Sequence, residues 1–315
     1  QNSTWIESIA MGTMSLETCD SSADQKTTST REACKTCSDE SMNWSDVYDI
    51  ADAGPRTRFT IKTDSGAMVV HNCELALGYG GWVGGWLAFD DSGRTEDEIK
   101  KIILAWRDAS PAVVEFWGGQ VRRNGGFKPE LYGVEGAFIR AALLPGVPAH
   151  YRGLVFEASK SLFPVRCPAA SLSEPCTVQI TLMSGRKLTY HNVLLEPMPA
   201  SRSWAGRYSI SYEGFNTNPK SGARGWIRIA TYGPKVVENL VQATANDILR
   251  YAMANLERAG YPIVLHVYDE IVCEVPKGFG SVEELESIMK TLPRWAAGWP
   301  IGADGGWRGR RYRKG

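Results

Sequence analysis

Two adjacent carboxylates, Asp269 and Glu270, stand between two β-rich apolar runs, PIVLHV at 262–267 and IVCEV at 271–275. A two-residue hairpin loop favours Asn-Gly or Asp-Gly, because its central residues take positive φ. Acids at such a place ask for a chemical reason. A carboxylate pair on a rigid strand tip suits a divalent cation, whose remaining oxygen ligands come from substrate phosphates; a solvated turn with two incidental acids is the other reading. Elsewhere Cys34 and Cys37 form a single CxxC, with no second CxxC or nearby His pair to complete four ligands. A polar loop is the expectation there. Seven cysteines, an odd count without framework spacing, argue against disulfides.

The elements that must position these acids are legible in outline. From Lys235 to Ala259, Val237, Leu240, Val241, Ala245, Ile248, Leu249, Ala252 and Leu256 recur at helical spacing, and Gly260 with Pro262 stops the run. The acidic hairpin follows directly, then a further helix at about 281–291. The stretch from Trp106 to Trp117 reads as a helix broken near Pro111. Between 124 and 230 lie short β-like runs and many glycines. Upstream, residues 46–72 switch to strand patterning, with a turn at 63–66 between RFTIK and AMVVHN. Residues 1–45 are polar, rich in Ser, Thr, Asp and Glu, and read as weakly ordered or as a long surface insertion. The sharpest change of character falls between Asn72 and Cys73.

Bulk properties narrow the class. The 315 residues are 43% apolar and 22% charged, ordinary for a globular protein with a real core. No run of about 18 apolar residues and no basic start leading into an apolar segment occurs, so no membrane partner is expected. Formal net charge is zero, so nothing global announces nucleic acid. Arg308, Arg310, Arg311, Arg313 and Lys314 form a basic end that suits phosphates or stands as a solvated terminus. The chain begins with Gln1, which leaves room for residues upstream.

LHVYDEIVCEVP resembles the last catalytic motif of family A DNA polymerases of the bacteriophage type, where a His-Asp-Glu usually forms the tip. The resemblance implies that Asp269 is a Mg²⁺ ligand, that Glu270 is its acidic neighbour, and that Tyr268 replaces the usual His, with His266 two residues earlier. ENLVQATANDIL is similar to the preceding helix, which places Glu238, Asn239 and Gln242 at DNA. ELALGYGG, from Glu74 to Gly81, resembles the end of the helix that closes over the incoming dNTP. It puts Tyr79 and Gly80 beside the nascent base pair and Leu75 where an aromatic residue influences sugar discrimination. LMSGRKLTY and the end from Trp295 are also similar, and the likeness places Arg186, His266 and Tyr268 at the DNA as well. The likeness covers about 73–315 and implies an α/β right-hand palm with part of the fingers. The implied reaction is attack of a primer 3′-hydroxyl on the dNTP α-phosphate with two Mg²⁺ ions. A second metal-binding Asp and a Lys at the start of the fingers helix are both missing, so this chain alone is not expected to polymerise DNA.

VVHNC resembles the C-terminal junction of an intein, and DVYDIADAGPRTRFTI is similar to the block before it. The types fit: a Cys thiolate accepts an acyl group, and an Asn amide attacks its own carbonyl with a His assisting. The likeness implies splicing roles for His71, Asn72 and Cys73, with Asp49 as a further candidate, while Thr57 stands where the block often has a catalytic His. Three parts follow: 1–45 polar, 46–72 a small all-β intein segment, and 73–315 polymerase. The expected partners are primer-template DNA, dNTP and an N-terminal polymerase/intein fragment, in the cytoplasm of an infected bacterial host. The rival is a non-catalytic DNA-binding or remnant protein with an inactive intein end.

Overall fold

The computed structural model describes residues 6–10, 59–63, 66–70, 77–87, 93–123, 126–161, 174–198, 207–216, 225–304 and 306–309, with backbone alone at 6–10, 59–63, 66–70 and 119–130. It mixes helices and strands, and every pair among the described strands is antiparallel.

β1 (Ile6–Ala10) and a hairpin of β2 (Phe59–Thr63) and β3 (Gly66–Val70) come first. The hairpin lies where the alternation around residues 58–70 predicts strands. β1, the described part of the polar segment 1–45, pairs with two strands from the far end of the chain. Its strand state comes from those partners, since IESIA carries little strand signal of its own.

Among the elements that follow are the helices α1 (Val83–Leu87), α2 (Glu96–Ala109) and α3 (Pro111–Trp117). α2 starts at a reciprocal cap: the Glu98 N–H donates to Thr95 Oγ1 at 3.4 Å and the Thr95 N–H to Glu98 Oε2 at 2.8 Å. Pro111 cannot continue the ladder, so the chain breaks at Ser110 and restarts with Pro in the first turn of α3. The break is where the sequence puts it. Ile99 and Ile103 of α2 pack on Leu77, Val83 and Trp86 as a small separate core.

After the hairpin β4 (Gly119–Arg123) and β5 (Gly126–Tyr132) comes α4 (Gly133–Leu143), which is apolar nearly all round and accordingly buried. It lies against a six-stranded meander, β6 (Ala149–Tyr151), β7 (Leu154–Lys160), β8 (Cys176–Thr181), β9 (Lys187–Pro197), β10 (Tyr208–Asn216) and β11 (Gly225–Thr231), ordered as in the sequence. Phe138 and Phe156 are fully buried between helix and sheet, and each such side chain stabilises by about 1.5–3 kcal/mol.

α5 (Gly233–Arg258) is the longest described element and matches the predicted helix within two residues at its start and one at its end. Gly260 at φ +87° ends it, and the Tyr261 N–H returns to Leu256 O at 3.0 Å. Its first half packs into the core of the meander and its second half into another, built with β13 and α6. There β12 (Ile263–Val267), β13 (Glu270–Pro276) and β14 (Trp307–Gly309) form a sheet in the order β12-β13-β1-β14, and α6 (Val282–Met289) packs alongside. α5 is therefore the spine joining the two sheets.

Candidate functional site

The acids sit where the two-strand reading expects them. Val267 pairs with Glu270, so the loop of the β12–β13 hairpin is Tyr268-Asp269, and Glu270 is the first residue of β13. Tyr268 takes φ +55° and is 88% exposed. A non-glycine residue held there costs about 1–3 kcal/mol, and no packing of its side chain offsets that. The closed register of the hairpin holds it. Ile271, Cys273 and Val275 anchor β13 against Leu249, Ala252 and Leu256 of α5, so Asp269 stands on a rigid base. His266 is exposed on β12, an edge strand that also exposes Val264 and Leu265.

Tyr79 and Gly80 form a turn, closed by the Gly80 N–H on Leu77 O at 2.9 Å. Gly80 has φ +74°, and a Cβ there would lie 2.5 Å from Pro234 Cγ at the start of α5. Only glycine lets the turn come this close. Burial raises the Tyr79 phenol above its ordinary pKa of 10.0, and the Glu238 carboxylate adds to the shift. The structure thus brings Tyr79, Gly80 and Glu238 together at one end of α5.

Two side chains that sequence reasoning missed hold this turn from the other side. Arg107 donates to the carbonyls of Gly80 and Gly81, each at 3.3 Å, and its guanidinium lies 5.1 Å from the Trp82 ring centre and 5.7 Å from that of Trp117. Trp117 Nε1 donates to Gly78 O at 2.8 Å. Burial lowers the Arg107 pKa from 12.5, yet an arginine stays charged in proteins. The available signal was WRDASPAVVEFW, an Arg among tryptophans next to a broken helix.

Along α5, Glu238 accepts from Lys235 Nζ at 2.7 Å and from Gln242 Nε2 at 3.4 Å, while Asn239 Nδ2 donates to the Tyr190 hydroxyl at 3.0 Å. Gln242 is exposed. The Arg186 guanidinium is engaged with α5, through Asp247 Oδ1 at 2.7 Å and the Ala243 carbonyl. It fastens the β8–β9 turn to the helix. Buried Glu135 of α4 accepts from the Gly233 N–H at 2.7 Å and pairs with Arg207 at 3.2 Å, a negative charge at the positive end of α5. Arg308, read from sequence as part of a basic tail, donates to Gly280 O at 3.0 Å and Phe279 O at 2.6 Å and so ties down its own strand. His71, Asn72, Cys73, Asp49, Leu75 and the Cys34/Cys37 pair lie outside the described residues.

Asp269 and Glu270 supply hard oxygen donors of the kind Mg²⁺ takes. Among the described residues, no group of three or more His, Cys, Asp or Glu side chains converges as a metal cluster. The chemistry of the pair fits the ion if further oxygens come from elsewhere. No described helix is long and apolar enough to cross a membrane.

No family model matches the sequence, and no solved structure matches it. A DNA polymerase of Bacillus phage SP02 is 34% identical over 234 residues, which cover 74% of this chain and 30% of that relative. The chain therefore spans less than a third of the relative's length. Across 74% of its own length the chain is similar to a phage DNA polymerase.

Proposed function

We propose that the chain is the C-terminal part of a phage replicative DNA polymerase, a family A palm with part of the fingers, preceded by the end of an intein. The observation that carries the polymerase reading is the docking of the Tyr79–Gly80 turn against Pro234 and Glu238, which joins two motifs distant in sequence. In this reading Tyr79 and Gly80, with Leu75, shape the pocket for the nascent base pair. Gln242 and Asn239 face the primer end, with Glu238 holding Gln242 in place; His266 on β12 and Tyr268 at the hairpin tip contact the DNA, and Arg186 fixes the β8–β9 turn to α5.

Asp269 would hold Mg²⁺, with Glu270 next to it. Bound Mg²⁺ supplies charge stabilisation to the attacking and leaving oxygens of the phosphoryl transfer. The chain's own contribution is position: a carboxylate on a short hairpin anchored to α5 keeps its place with little reorganisation. A further Asp and a phosphate-binding Lys must come from an N-terminal fragment, joined by splicing at Asn72–Cys73 or by assembly. For the junction, His71 assists Asn72 cyclisation, Cys73 accepts the acyl group, and Asp49 supports them.

The test is Mg²⁺-dependent primer extension by the reconstituted enzyme. Asp269→Ala should abolish it, and extension that survives the substitution removes Asp269 from the site. Intact mass of the purified chain, beside an Asn72→Ala control, reads the junction separately: loss of residues 1–72 in the wild type alone shows a live Asn72.

A further inference from the structure

The turn that carries Tyr79 has little backbone preference of its own. Gly78, Gly80 and Gly81 surround the tyrosine, and glycine brings the largest conformational freedom to a chain. Contacts from outside must therefore fix where Tyr79 stands. Trp117, the last residue of α3, donates to the Gly78 carbonyl, and Arg107, in the last turn of α2, donates to those of Gly80 and Gly81. A peptide group is planar, so each bond fixes a whole plane. Trp117 holds the plane before Tyr79, the Gly80 N–H bond to Leu77 O holds the plane after it, and Arg107 holds the next two.

Arg107 is placed for this task and for no evident other. Its Nε is buried with no hydrogen-bond partner, and its guanidinium lies between the Trp82 and Trp117 rings. Taking a guanidinium out of water without a carboxylate beside it is unfavourable; what the fork reaches here is the turn. From the opposite side, the start of α5 closes on Gly80. A Cβ added there would lie 2.5 Å from Pro234 Cγ and 3.7 Å from Tyr232 Cε2. The turn is thus held between α5 and the α2–α3 pair, and Arg107 is the polar half of the outer wall.

We propose that Arg107 is a positioning residue for nucleotide binding: by pinning the Gly80 and Gly81 carbonyls it holds Tyr79 in place against the nascent base pair. It touches neither nucleotide nor DNA and acts through Tyr79. A pocket wall left loose must be ordered each time a dNTP binds, and that ordering weakens binding. This rests on the reading that Tyr79 lines the dNTP pocket.

The test is steady-state primer extension by the reconstituted enzyme with the dNTP concentration varied. Arg107→Ala should raise the dNTP KM about 10-fold, with kcat and primer-template affinity nearly unchanged. Arg107→Lys, which keeps the charge and the stem, should behave like the alanine variant. Arg152→Ala removes an arginine paired with Glu115 at the surface and should change nothing. Added to Tyr79→Ala, Arg107→Ala should raise the KM no further, because both act on one contact. A merely structural loss would instead lower kcat and primer-template affinity along with dNTP affinity, whether or not Tyr79 is present, and that pattern overturns the inference. So does an unchanged KM in both Arg107 variants, or effects that multiply with Tyr79→Ala; if Tyr79→Ala alone still raises the KM, the pocket reading survives. An unchanged KM in Tyr79→Ala defeats the pocket reading and the inference with it, and a wild-type enzyme that extends nothing defeats the polymerase reading together with both.

Discussion

Asp247 binds Ser184 and Arg186 at once: the Ser184 hydroxyl donates to Oδ2 at 2.5 Å, and Arg186 Nε meets Oδ1 at 2.7 Å. One carboxylate, with 10% of its side chain exposed, thereby ties the β8–β9 turn to the middle of α5. Removing one partner leaves a poorly solvated charge unpaired, which costs several kcal/mol in deep burial. Arg186 is 35% exposed, so a smaller loss applies here.

Arg186→Ala and Asp247→Ala should each lower stability by about 2 kcal/mol in urea titrations. Acting on one interaction, they should be far from additive, with a coupling of about 1 kcal/mol or more in the double variant. Simple addition of the two losses would show that the pair does not act as a unit.

The Tyr79–Gly80 turn is held between α5 on one side and Arg107 on the other. Gly80→Ala adds a Cβ 2.5 Å from Pro234 Cγ at a φ of +74°, so the turn must leave α5 or strain by roughly 1–2 kcal/mol. Arg107→Ala removes the two carbonyl contacts and the cation between Trp82 and Trp117. Both should raise the rate of chymotryptic cleavage within 77–87, because locally freed backbone is what a protease cuts. Arg107→Lys should restore little, since a point charge lacks the planar fork that reaches two carbonyls while stacking on rings. Unchanged cleavage in Gly80→Ala and Arg107→Ala would count against the clamp.

These contrasts show what the sequence could carry. α5, the break at Pro111 and the acidic hairpin were legible because their signals are local: a 3.6-residue period, a Pro that cannot donate, two β-rich runs around a short turn. The six-stranded meander was not, since its short strands owe their state to partners across the sheet and to register, which no window of sequence contains. β1 is the extreme case, a polar-apolar pentapeptide made a strand by β13 and β14. Within the site the residue types at Tyr79, Glu238 and Asp269 could be read, whereas Arg107 and Asp247 could not. Their roles lie in what they touch, and each touches a segment far away in the chain.

Tyr190 is 4% exposed and Tyr261 fully buried. Burial pushes both phenols up to about 12 from an ordinary 10.0. For Tyr261 the hydrogen bond to Glu284, 2.8 Å long, pushes in the same direction; for Tyr190 the Asn239 amide opposes the rise by donating to the oxygen. A phenol with a raised pKa in the folded chain holds its proton where the unfolded chain has lost it. Its contribution to stability is therefore complete below pH 10 and disappears as pH climbs from 10 through 12. Absorbance at 295 nm should show part of the twelve tyrosines ionising in a late wave that coincides with loss of the folded circular dichroism signal. Tyr190→Phe and Tyr261→Phe should each shrink that wave and flatten the fall of Tm over the same interval. A single wave near pH 10 with the fold intact would mean that neither ring is sealed from water.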